Sequence, residues 1–598
     1  MKSATFKHWL IILCFALLTH CASVSDSHFQ VNQQLVSPYT MPAKAYLAIA
    51  KTKLGEERQH YQIMAAGRLI YDGQWRQGNI ILSRLKPLSP IIADEKNLLQ
   101  AKIYSIREQW RTVIKILSRV KSIDALTIYY KAQYYELLAQ AYKGTGNIAD
   151  SVEERMKLNQ VLPDQASRVN NLRALWLTLT ELPSSELNAM AIEAEDGSEF
   201  KGWMDLALIS RKDYNDPHTM MVAIQAWKQS YPGHPANALI QQSNVDNQLF
   251  SRPKQIALLL PLTGPLAGPG GAIRDGFMAA YRSSSNAGRI SIKTYNTNTA
   301  NVAKLYDEAV SDGADYVVGP LRKDNVTTVS QLNHPVPTLL MNDIGTSTRQ
   351  NAYQLGLSPS NEARQVASKA RRNGYTRALV IAPDGDWGAE VMDAFTQQWR
   401  ANGGHVVDTL LYQPNTSFNQ PIRDFLRISE SEARKKAIAE VLRRKVEATP
   451  RRRQDFDMIF LLAYPSKARQ IMPLLRYYYA GDVPVYSTSS VYGGYPNSIR
   501  NRDLDGIIFC DMPWVFDHNL GHKNWPEQLN SYNRLYALGM DSYALSNQLN
   551  QLLLFLAMGV RDNSGILYLN TNGQVGRILS WGQFKRGIAE QINKKAVT

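Results

Sequence analysis

The hydrophobic period of this chain changes once, near residue 250, and that change bounds the folds open to it. Before it, apolar residues recur three and four apart through 44–53, 60–71, 98–106 and 110–117, with few β-branched alternating runs, which predicts amphipathic helices joined by short turns. After it, short wholly apolar runs alternate with helical segments. Residues 256–261 read as a strand covered on both faces, 263–271 as a Gly- and Pro-rich loop, and 272–281 as a helix. The unit repeats as strand 290–295, helix 301–311, strand 316–318, loop Gly319-Pro320-Leu321, helix 324–332 and strand 338–341. Alternation at this spacing predicts a parallel sheet. A second series opens with strand 377–382, loop 383–388 and helix 389–401, and continues through strands 406–411, 458–463 and 485–487. Two α/β lobes in one module follow. The run Tyr231-Pro232-Gly233-His234-Pro235 reads as a module boundary, followed by one last helix, 236–244.

Inside the helical half, Tyr135, Leu138, Ala139, Tyr142 and Pro163 fall at the offsets of a tetratricopeptide repeat, a helix pair of about 34 residues. Gly144 and Gly146 occupy the intervening turn, and Ser151 stands where a small residue is required. Arg155 and Leu158 depart from the usual aromatic and Ala. Residues 102–117, with Ala101, Tyr104 and Val113, read as a weaker neighbouring copy. The expectation is an all-α TPR-like helical solenoid over 43–250, a class that presents extended binding faces; a plain helical spacer is the alternative.

The N-terminus carries Lys2 and Lys7 before an apolar run, 9–18, that ends in Leu18-Thr19-His20-Cys21. About ten apolar residues cannot span a bilayer that needs roughly 20, so the segment reads as an export signal. The pattern before Cys21 is that of a bacterial lipoprotein signal, with His20 where Gly, Ala or Ser is usual. We expect a signal over 1–20, acylation of Cys21, and an acylated N-terminus and tether over 21–42. Ala22 and Ser23 in place of an Asp favour the outer membrane, on its periplasmic side. Several acyl chains would hold the chain there stably. Cleavage elsewhere would leave a soluble periplasmic protein. Cys14 leaves with the signal and Cys21 is consumed by lipid, so Cys510 is the one remaining thiol and no intramolecular disulfide forms.

The formal net charge is +15. An exported cationic chain meets peptidoglycan and lipid phosphates, so nucleic acid is not an expected partner. Nine Lys and Arg lie between Arg434 and Arg453, interrupted among charged residues by Glu440 and Glu447 alone. A helix over 429–446 is expected. Arg434, Lys435, Lys436, Arg443, Arg444 and Lys445 form a candidate docking patch for an acidic partner or the wall, against the plainer reading of a solvated helix.

No catalytic constellation assembles. The run Gly264 to Gly271 lacks the Lys-Ser/Thr of a phosphate loop, and Ser118-Arg119-Val120-Lys121 has no Lys-Thr-Gly element to complete an acyl-enzyme site. His518 and His522 are four apart, but Gly521 and nearby Pro526 argue for a loop and not a metal-binding helix face. Cys510, after Ile507-Ile508-Phe509, reads as a small hydrophobe on an apolar strand. Tyr477, Tyr478 and Tyr479 read as inter-helix packing, with Arg469 and Arg476 as basic neighbours. The expectation is a non-enzyme with no cofactor and no metal.

Residues 257–264 (ALLLPLTG), 313–321 (GADYVVGPL) and 358–362 (SPSNE) resemble the type I periplasmic binding proteins, in their branched-chain amino-acid branch. Segments 456–460, 464–469, 477–482 and 505–509, with Pro513 and Trp514, extend the resemblance over about 254–598. It implies a two-lobed α/β type I periplasmic-binding-protein-like domain over 251–598. Lobe 1 would comprise about 254–375 and 511–562, and lobe 2 about 376–510 and 563–598. It also implies an inter-lobe cleft lined by Thr263, Gly264, Pro320, Leu321, Asn342, Asp343, Asp386, Trp387 and Tyr464. Amino-acid binders of that family offer Ser or Thr hydroxyls where this chain has Pro320-Leu321 and Asn342-Asp343.

The combination of lipoprotein signal, degenerate helical repeats and this two-lobed module is similar to the LpoA family of penicillin-binding protein activator lipoproteins. Gly202-Trp203, the segment 227–236 ending YPGHPA, and 478–482 with 485–489 carry that likeness. The resemblance implies an outer-membrane lipoprotein that binds a class A penicillin-binding protein of the 1A type and stimulates its transpeptidase in peptidoglycan synthesis, with peptidoglycan itself a further partner. The alternative is a lipid-anchored receptor for an amino-acid-like or wall-fragment solute.

Overall fold

The computed structural model describes residues 37–212, 217–240, 249–285, 287–298, 301–517, 532–555, 559–570 and 572–592. The signal, Cys21 and the pair His518 and His522 lie outside them. No helix among the described residues is long and apolar enough to cross a membrane.

Between Ala43 and Ser230 the described residues form helices joined by turns, as the three-and-four spacing predicts. Local chemistry sets the helix starts: Ser89 accepts from Ile92 N ahead of Pro90–Ile106, and Asp164 accepts from Ser167 N at 2.8 Å ahead of Gln165–Thr180. The repeat unit is the pair Ile128–Thr145 and Ile148–Val161, turned by Gly146 in a left-handed conformation. Ala139 is fully buried at the crossing, and Ser151 Oγ donates to Ala139 O at 2.7 Å, so both small residues serve close helix approach. Arg155, where an aromatic is usual, is buried and bonds Glu136 at 3.0 Å and Asn171 Oδ1 at 3.0 Å. Burial alone would raise the Glu136 carboxyl, but Arg155, Gln140 and Lys102 hold it below the usual range. A buried ion pair here replaces a ring.

The Tyr231–Pro235 run, expected as a module boundary, is packed into the helical half. Its His234 is buried between Trp203 and Trp227, each ring centroid 5.0 Å away, with Nε2 2.9 Å from Glu199 O and Nδ1 accepting from Ala236 N. The aromatic cluster thus fixes a segment rich in Pro and Gly. The last helix expected over 236–244 is a short 3-10 turn, Pro235–Leu239, and 241–248 are not described.

The α/β half holds two main sheets. The first contains β1 (Gln255–Leu260), β2 (Ser291–Asn296), β3 (Tyr316–Val318), β4 (Thr338–Leu340) and β5 (Ala352–Gln354), all parallel in the order β2-β1-β3-β4-β5. The second is built from β6 (Arg377–Pro383), β7 (His405–Tyr412), β8 (Met458–Leu461), β9 (Val485–Ser487) and β10 (Ile508–Asp511), parallel throughout. A ribbon follows, β11 (Val560–Asp562), β12 (Gly565–Leu569) and β13 (Val575–Ile578). Antiparallel β14 (Ser580–Lys585) and β15 (Ile588–Gln591) then complete the second sheet in the order β15-β14-β10-β9-β8-β6-β7. Every strand expected from an apolar run is present; the terminal antiparallel strands were not legible.

The chain passes between lobes at other points than expected. Helix Pro359–Arg372 lays Ala363, Val366, Ala367 and Ala370 against Ala378 and Val380 of the second sheet, so the first crossing precedes residue 359 instead of following 375. The ribbon places Leu567, Leu569 and Val575 in the first lobe's core, so the last crossing comes after 578 and not near 562. In both cases the apolar face of the element decides which lobe it joins.

Candidate functional site

The expected cleft residues fall into two groups. In the first lobe, Thr263 Oγ1 accepts from Asn296 Nδ2 at 2.9 Å and from Asn298 Nδ2 at 3.3 Å, beside Gly264. Asn342 Nδ2 donates to Leu321 O at 3.1 Å, while its Oδ1 accepts from Asp343 N. Asp343 Oδ1 accepts from Gly345 N at 2.8 Å and from Gln574 Nε2 of the ribbon at 2.9 Å. Pro320 follows a cis peptide after Gly319. The polar atoms that would orient a solute are therefore engaged by the lobe's own loops. In the second lobe, Trp387 and Tyr464 stack with centroids 5.0 Å apart and planes at 13°, Tyr464 exposed, with Asp386 at the start of helix Asp386–Ala401. No hydrogen bond or ring contact joins the two groups among the described residues.

Where the chain crosses between lobes, buried charge gathers, a feature with no local sequence signal. Arg534, at the head of helix Asn533–Leu554, donates from Nε to Asp511 Oδ1 at 2.9 Å and from Nη2 to Tyr492 O at 2.9 Å and Ser489 O at 3.2 Å. Glu362 accepts from Ser489 N at 2.9 Å; burial raises its carboxyl, while Arg577 pulls it down. Asp541 accepts from Asn563 N and Ser564 N, and burial together with Asp541 pushes the neighbouring Asp562 well above the carboxylate range. Cys510 is fully buried on β10 and burial drives its thiol up, the behaviour of a small hydrophobe. The bonds of Arg534 to Asp511, Tyr492 and Ser489 tie the head of its helix to the second lobe, whereas Asp562 Oδ2 is buried without a hydrogen-bond partner.

The basic run divides. Arg453 is buried, bonded to Asp455 at 2.8 Å and Asp408 at 2.6 Å, and Arg452 bonds Asp482 and covers the Phe456 ring at 5.1 Å, so both are structural. The other cations belong to or follow helix Ile428–Leu442, which buries Ile428 alone. It ends four residues short of the expected 446. Arg443 takes a left-handed cap at φ 46, because an unburied helix gains nothing by carrying three adjacent cations further. Of the three tyrosines, Tyr478 packs, whereas Tyr477 and Tyr479 are exposed and Tyr479 has φ 64. The packing expectation therefore holds for the middle ring only. Arg469 donates to Asn501 Oδ1, and Arg476 to the carbonyls of Asp503 and Asp505.

The helical module grips both lobes. Lys369 Nζ lies 2.6 Å from Glu108 Oε1, Arg371 donates to Tyr71 O at 3.0 Å and covers the Tyr71 ring, and Thr376 Oγ1 donates to Asp72 O. On the first-lobe side Phe555 stacks on Trp176 with centroids 5.9 Å apart, and Arg561 donates to Glu181 O at 3.2 Å.

A family model described as "LppC putative lipoprotein" matches residues 39–587. Among curated relatives, the penicillin-binding protein activator LpoA of Photobacterium profundum is 28% identical over 574 residues, covering 92% of this chain and 93% of its own. The protein of that name from Vibrio cholerae is 25% identical over 590 residues, covering 95% and 96%. Among solved structures, Haemophilus influenzae LpoA is 22% identical and covers 93% of this chain and 98% of its own, at a TM-score of 0.49.

Proposed function

We propose, on the premise that the chain belongs to the LppC lipoprotein family, that it is an outer-membrane lipoprotein that binds and activates a bifunctional class A penicillin-binding protein. Acylated Cys21 anchors it, the helical module over 43–250 and the two-lobed module over 251–598 reach into the periplasm, and the docked chain stimulates the synthase's transpeptidase. The observation that carries the reading is the unbroken family match across both modules, 39–587, beside relatives that are named activators over nearly their whole length. The internally engaged loops of the first lobe also favour a docking module over a solute trap.

Activation of this kind needs no chemistry from the chain itself. It needs tighter binding to the active form of the synthase, and a tenfold preference is about 1.4 kcal/mol. The competing reading, a solute receptor, has the Trp387–Tyr464 stack with its exposed tyrosine in its favour, since such a ring can take a flat apolar group.

The test is cross-linking of lipid II by a purified class A penicillin-binding protein with and without a soluble form of this chain starting at residue 28. A several-fold rise in cross-links is expected. No rise, together with no complex with any class A synthase, would overturn the reading and leave the solute receptor.

A further inference from the structure

We propose that helix Ile428–Leu442 and the cations that follow it are a docking element for an acidic groove with an apolar floor on a folded protein. This rests on the activator reading, under which that protein is the synthase. The helix contributes one residue, Ile428, to the core, so packing inside the chain explains almost none of it. Its outer surface carries Ile438, Val441 and Leu442, which are 50%, 83% and 57% exposed. Spacings of three and four place them on one face of the helix as a single aliphatic patch. Such a face, read at these spacings, is the form in which an amphipathic helix enters a groove.

Charge selects the partner. Along the first turns Glu430 and Glu432 are paired with Arg434 and Arg423, so that end is close to neutral. Lys436, Arg443 and Arg444 have no carboxylate partner among the described residues, and Lys445 lies 3.9 Å from Glu447 with its side chain 90% exposed. Free positive charge thus collects beside the aliphatic patch. Like charge opposes a second copy of this chain at the same surface. A lipid surface is a poorer match, because three aliphatic side chains without an aromatic make too narrow a face for insertion, and Glu430, Glu432 and Glu440 interleave with the cations.

The affinity of the soluble chain for a purified class A penicillin-binding protein tests this, using two paired variants, Val441→Glu with Leu442→Glu and Arg443→Glu with Arg444→Glu. Leu54→Glu with Ile192→Glu, exposed apolar positions on the other module, serves as control. Each test pair is expected to weaken binding about tenfold or more, with an unchanged unfolding midpoint; the milder pair Val441→Ala with Leu442→Ala should give an intermediate loss, and the control none. Full affinity and full stimulation in both test pairs would overturn the docking element while leaving the activator reading standing. No binding by the unsubstituted chain would instead remove that reading, and the proposal with it. Binding to phosphatidylglycerol vesicles that both pairs abolish, with synthase affinity untouched, would assign the helix to a membrane and overturn the proposal.

Discussion

Glu95 shows how far a single residue can set the pH response of the helical module. It is 6% exposed, its Oε2 has no hydrogen-bond partner, and burial raises its carboxyl to about 7. The unfolded chain sheds this proton near 4.5 whereas the folded chain keeps it up to about 7, so between those values the folded state holds more protons. Its contribution is complete below 4.5 and is lost as pH rises through 7. Glu95→Gln removes the linkage: urea unfolding should match the parent at pH 4 and exceed it by about 3 kcal/mol at pH 8, taking 1.36 kcal/mol per pH unit. Equal stability at both pH values would show that Glu95 is hydrated in the folded chain. Nothing in the sequence around Glu95 marks it, because its burial is produced by neighbours far along the chain, Tyr39 among them. Cys510 is the opposite case, legible because the apolar run Ile507-Ile508-Phe509 leads directly into it.

At the scale of elements, helices Ala267–Ser283 and Asn533–Leu554 of the first lobe approach closely. A Cβ at Gly276 would lie 1.9 Å from Tyr536 O, and one at Gly539 would lie 2.1 Å from Ile273 O, so each glycine admits the other helix's backbone. Gly276→Ala or Gly539→Ala should separate the helices and cost about 1–3 kcal/mol as overpacking does, read as a lower unfolding midpoint and faster proteolysis of the α/β half. Most of the parallel strands were legible, β1, β3, β4, β6 and β8 as short apolar runs and β2 and β7 from their spacing between helices, whereas the three-residue β5 was not. The ribbon and β14–β15 were not, since each strand is short and mixed in polarity, and β14 takes its register from the distant β10: Gly582, for example, faces Phe509. The candidate cleft was legible as loops but not as a network, because Asp343 is satisfied by Gln574, a partner more than two hundred residues away. Helix Ile428–Leu442 was legible by charge, whereas its exposed aliphatic face depends on what does not pack against it.

For the whole molecule, the two grips of the helical module should make folding cooperative across modules. The unsubstituted chain is expected to unfold in one calorimetric transition. Lys369→Ala with Arg371→Ala and Phe555→Ala, which release both grips, should split it into two, whereas releasing one grip should leave it single; two transitions in the unsubstituted chain would show that the contacts couple nothing. The change of texture near residue 250 announces two modules but not that the first touches both lobes of the second, because residues 71–72, 108, 176 and 181 look like ordinary turn and core positions. Three bodies joined at three places form a closed linkage. No corner of such a triangle can change its angle alone, so a torque applied to the second lobe reaches the N-terminal helices by two routes at once, and a pull on those helices returns along both.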